Sequence, residues 1–119
     1  MKVLELHEIN LYYIEETKDD YGSAVSTLVL LENEIPCNVA IRDMGVIVVN
    51  DKLTPMYQCR VLIGIDTLMT DLTDYSDKRL VVEFQGGQYE IDQVVTNDYG
   101  LDIDHHMLLG FKSGKVLNN

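Results

Sequence analysis

Apolar and polar positions alternate along most of this chain, and helical spacing is scarce. Alternation at a period of two is the signature of half-buried strands. Val3-Leu4-Glu5-Leu6 leads through Ile9, Leu11 and Tyr13 with polar residues between, which predicts one long first strand or a bent pair. Residues 18–23 are polar and turn-like. Residues 25–31 are apolar and β-prone, and Pro36 ends the linker that follows. Cys37-Asn38-Val39-Ala40-Ile41 alternates, Arg42-Asp43-Met44-Gly45 supplies a turn, and Val46-Ile47-Val48-Val49 returns, a hairpin on this reading. Asn50-Asp51-Lys52 closes it and Pro55 breaks the next segment. Residues 57–65 form a further strand ending at Gly64. Residues 67–75, with Leu68, Met69 and Leu72 on one side, are the best candidate for a short helix.

Gln85-Gly86-Gly87 between the alternating residues 79–84 and 88–95 is the clearest hairpin signal, because glycine takes positive φ without strain. A last pair is expected around Ser113-Gly114. No internal repeat, low-complexity segment or linker interrupts the 119 residues, so residues 1–119 read as a single β-rich domain. The expected fold class is mostly β: a small β-sandwich or barrel of about seven to nine short, mainly antiparallel strands with one short helix.

Composition narrows the setting. Hydrophobic residues make up 46% of the chain, enough for a packed core, and no apolar run reaches the length of a membrane span. Lys2, Glu5 and Glu8 interrupt what would have to be the apolar region of a signal peptide, so a cytoplasmic location is expected. Cys37 and Cys59 lie in alternating apolar stretches and read as reduced core thiols rather than as a disulfide. Twenty acids against nine lysines and arginines give a net charge of −11. Such a surface disfavours direct nucleic-acid binding and favours basic protein surfaces.

Candidate chemistry is sparse. Asp102-Ile103-Asp104-His105-His106-Met107 gathers carboxylates and imidazoles, and Asp104 with His106 has a chelating spacing on an extended strand. Asp102, Asp104 and His106 are therefore the candidate metal ligands. A polar turn entering a strand accounts for the same residues, and catalytic zinc needs a third protein ligand that the sequence does not identify. No cofactor is expected. Tyr12, Tyr13, Tyr21, Tyr75 and Tyr99 lie in or beside polar segments. Tyrosine joins an apolar body to a polar tip, so these five are the candidate binding residues.

Val61-Leu62-Ile63-Gly64-Ile65-Asp66-Thr67-Leu68 resembles the strand, glycine and short-helix segment near the C-terminal end of retropepsin-like aspartic proteases. The order of strands across residues 37–84 is similar as well. The resemblance implies a dimeric protease whose paired Asp loops share a proton to activate water. Asp20, in Asp20-Tyr21-Gly22, is the only candidate for that loop. Tyr21 stands where the family has Thr or Ser, and the residues before Asp20 are polar where an apolar strand should lead in.

Two functions follow from these features. The first is a non-enzymatic acidic β-domain acting through protein–protein interaction, with a basic partner or with itself. An inhibitor, an accessory protein of phage or mobile-element origin, and an assembly subunit all belong to that class. The alternative is a retropepsin-like protease or an inactive relative of one.

Overall fold

The computed structural model describes residues 5–97 and 105–113. Six strands account for most of them: β1 (His7–Lys18), β2 (Ala24–Val49), β3 (Lys52–Gly64), β4 (Arg79–Phe84), β5 (Gly87–Asn97) and β6 (His105–Ser113). Every pairing is antiparallel. The order β1-β2-β3-β6-β5-β4 returns from β4 to β1 and closes the sheet into a barrel.

Six strands replace the expected seven to nine because β2 is one 26-residue strand where the sequence suggests three. Residues 24–37 pair with β1, and residues 38–49 pair with β3. Pro36 sits where β2 passes from the first partner to the second, and Pro55 in β3 lies beside a bulge. Such places tolerate the missing N–H. Residues 42–45 are not a turn. Between Asp43 and Val46, β2 advances three residues while β3 advances from Tyr57 to Pro55. That is a β-bulge, with Gly45 at φ 85°. A second bulge places Glu34 at φ 52°, where its N–H donates to Asn10 Oδ1 at 2.9 Å. The β2–β3 turn lies at Asn50 and Asp51, both at positive φ as a two-residue hairpin turn requires.

The predicted β4–β5 hairpin is present, but its positive φ values fall on Gln85 and Gly86, and Gly87 already belongs to β5. The expected helix over residues 67–75 is reduced to one 3-10 turn, Leu72–Tyr75. Glu32 explains the difference. Its carboxylate accepts from the backbone N–H of Met69 and Thr70, at 3.1 and 2.9 Å, and from the Thr70 hydroxyl at 2.8 Å. Those N–H groups are thus committed to β2 rather than to a helical ladder. The strand pair expected around Ser113-Gly114 reaches Ser113 in β6, and its second half lies outside the described residues.

Inward-facing positions of all six strands build one core, with Leu11, Val61, Ile63, Val82 and Leu108 fully buried. Cys37 and Cys59 belong to it as free thiols. Burial pushes Cys59 up to about 11 and Cys37 up to about 12, Cys37 being raised further by Cys59 beside it. Gly110 admits the close approach of β5: a Cβ there would meet the Glu90 carbonyl oxygen at 2.7 Å.

Candidate interaction surfaces

Two hairpins extend past the strands that flank them. β4 reaches only as far as Ile14 on β1, so residues 15–18 and 24–27 continue as a two-stranded ribbon at one end of the barrel. Beyond Met56, the last β3 residue with a described partner on β6, residues 46–49 and 52–55 pair with each other as a second ribbon at the other end.

The first ribbon is acidic. Residues 15–27 carry Glu15, Glu16, Asp19 and Asp20 against Lys18 alone. Its turn is built by Asp19, whose Oδ1 accepts from the N–H groups of Tyr21 and Ser23, each at 2.9 Å. Asp20 and Tyr21 are thereby presented at the tip, Tyr21 at 94% exposure. Asp20 is exposed and stands outside the core, at a hairpin tip. On the barrel-side part of this hairpin, Tyr12 pairs with Leu30 and Ile14 with Leu28 on the outward face, and both leucines are exposed. Arg79 links the ribbon to the wall through ion pairs with Glu16 and Glu90.

The segment after β3 lies at the same end. Its Asp71 caps the 3-10 turn and accepts from the hydroxyl and N–H of Thr73 at 2.6 and 3.0 Å. Those two bonds hold the Asp71 carboxyl below its ordinary value. Between this turn and β4–β5 lies a cleft of about 480 Å³. Leu72, Leu80 and Ile91 give it an aliphatic floor, and Lys78, Asp92, Gln93 and Thr96 form a polar rim. The β5 bulge at Asp92 separates the two kinds of wall. The cleft suits an apolar side chain held within a polar rim.

The second ribbon is built the opposite way. By strand alternation and register, Val46, Val48, Leu53 and Pro55 share the face that carries Cys59, Val61 and Ile63 in the barrel. Within the barrel that face is the core. On the ribbon it is open, with Val46 at 55%, Val48 at 67% and Leu53 at 56% exposure. Thr54, on the reverse face, is only 3% exposed. The ribbon covers its polar residue and shows its aliphatic ones.

The candidate binding tyrosines do not form one patch. Tyr12 and Tyr13 are half-buried on opposite faces of β1, and the Tyr13 ring lies 5.5 Å from that of Tyr75 against the core. Only Tyr21 is fully presented, and Tyr99 lies outside the described residues. Among the metal candidates, Asp102 and Asp104 also lie outside them. His106 is on β6 opposite Ile63, with its Nδ1 2.9 Å from the Thr96 hydroxyl. Among the described residues no three His, Cys, Asp or Glu side chains group as metal ligands. His7 is structural: its Nδ1 accepts from the Val39 N–H at 3.1 Å, and its ring stands edge-on to Phe84. Among the described residues no helix is long and apolar enough to cross a membrane.

The residues that sequence reasoning passed over are Val46, Val48 and Leu53. Four consecutive apolar residues, Val46-Ile47-Val48-Val49, furnish both faces of a strand at once, and that run was the available signal. No protein-family model, curated protein or solved structure matches this chain.

Proposed function

We propose that this chain is a non-enzymatic interaction module whose acidic end binds a protein partner with a basic surface. One observation carries the reading. The acidic ribbon and the Asp66–Asp77 segment share one end of the barrel, where Arg79 contacts Glu16 and Tyr13 meets Tyr75. Exposed Tyr21, Leu28 and Leu30 stand among those charges. Carboxylates speed encounter with a basic surface, and the aromatic and aliphatic side chains give the complex its residence time. The cleft beside them offers an aliphatic floor to one anchoring side chain. An inhibitor, an accessory protein or an assembly subunit would each use such an end, and two free buried thiols fit a reducing, cytoplasmic setting.

The test is capture of partners by the immobilised protein at low and at moderate salt, with Glu15→Gln/Glu16→Gln/Asp20→Asn as the control surface. A stoichiometric basic partner, released as salt rises and lost with the triple variant, is the expected result. A partner retained equally by the variant overturns the assignment to this end.

A further inference from the structure

We propose that the open face of the β2–β3 ribbon docks on the same face of a second copy of this chain. The two copies would pack ribbon against ribbon, making a two-layer sandwich at the end of the barrel opposite the acidic one.

Three observations point to this occupant. The face is a direct extension of the core face, so its complement is apolar; Val46, Val48 and Leu53 offer it no hydrogen-bonding side chain. Its exposure is not that of an ordinary solvated strand, because Thr54 on the reverse side is covered while the aliphatic side is open. Charge then selects among apolar partners. Residues 42–55 contain Arg42 and Lys52 against Asp43 and Asp51, a net charge of zero on a chain whose total is −11. A basic protein has little to seek at this end. A second acidic copy meets no net local charge here, and the same apolar face matches itself across a two-fold axis.

Size sets the strength. Four residues in each strand, at roughly 3.3 Å per residue, make a ribbon about 13 Å long, two strands wide. That footprint is on the order of 150–250 Å² per copy, far below the roughly 800 Å² of a standard stable interface. The dimer is therefore very weak, with a dissociation constant on the order of 1 mM. The proposal rests on this ribbon alone and does not need the partner proposed for the acidic end.

Sedimentation velocity on the full chain across roughly 30 μM to 3 mM, at low and at moderate salt, tests it. The expected result is a monomer–dimer equilibrium that tightens as salt rises, because screening relieves the repulsion between two −11 chains. Binding of a basic partner at the other end responds to salt in the opposite sense, so the two readings fail separately. Val48→Lys and Leu53→Lys, checked for an unchanged circular-dichroism spectrum, should be monomeric throughout; Leu30→Lys should dimerise like the parent. Val48→Cys should form an intermolecular disulfide under mild oxidation where Leu30→Cys does not. A parent that stays monomeric, a dimer that survives Val48→Lys and Leu53→Lys, or a dimer in which Val48→Cys fails to cross-link each overturns the proposal.

Discussion

The two ribbons are made from the two halves of one strand, yet they meet solvent in opposite ways. In the acidic ribbon, residues 15–18 place charged side chains outward and the tip is tied by Asp19. In the other, Val46, Val48 and Leu53 hold the orientation of core residues after the core has ended. The bulge at Gly45 offers the reason. Were the same residues to run on in a regular ladder without the bulge, Val46 would pair with Thr54 and Val48 with Lys52, and they would no longer share a face with Leu53 and Pro55. The bulge, by absorbing one residue, keeps the aliphatic side chains of both strands on one face.

The comparison breaks most severely if the body between the ribbons fails. Leu11→Ala, at a fully buried position on β1, should cost about 2–5 kcal/mol in denaturant unfolding, taking both ribbons down together. Gly110→Ala should follow at about 1–3 kcal/mol, since its new methyl would press on the Glu90 carbonyl. Glu32→Ala reaches only the acidic end: Met69, Thr70 and the Thr70 hydroxyl lose their acceptor, for about 1 kcal/mol. Hydrogen exchange should show that loss confined to residues 66–71. Val48→Thr should lie within about 0.5 kcal/mol of the parent when the protein is dilute and monomeric, because the position is already in water. A cost like that of Leu11→Ala would mean that the ribbon face is internally covered, and would erase the contrast.

The core thiols sharpen the same contrast through pH. Both folded values, about 12 and about 11, lie above the ordinary 9.0. The native state therefore holds its thiol protons more tightly than the unfolded chain, and stability is lost as pH rises from about 9 through the folded values. At pH 8 both thiols should resist alkylation in the native state and react promptly in denaturant. A cysteine at position 48 should label at once under native conditions.

Much of the wall was legible, because alternation at Cys37 and Val39, and at Cys59, Val61 and Ile63, reports the buried face directly. The β4–β5 hairpin was announced by Gly86-Gly87, although the positive-φ pair falls one residue earlier, on Gln85 and Gly86. The length of β2 was not legible: Pro36 and the residues 42–45 carry the chemistry of turns, and only their position between two partners makes them a crossing point and a bulge. Leu68, Met69 and Leu72 mimic a helical stripe, and what prevents the helix is Glu32, more than 35 residues earlier. The surfaces were harder still. That Val46, Val48 and Leu53 share one exposed face depends on the bulge in β2 and its register against β3, tertiary facts with no local trace.

The seam between β1 and β4 has a consequence for how the chain reaches this state. Neighbours along the sequence can zip β1 to β2, β2 to β3, and β4 to β5 as hairpins. The register Asn10↔Glu83, with the side-chain bond between the same two residues, joins positions 73 apart. Closing so long a loop is slow, and all-β chains of this kind fold in milliseconds to seconds. Until the seam forms, β1 and β4 each offer an unpaired edge, and another chain can take it. The vulnerable interval in the life of this protein is the one before the ring shuts.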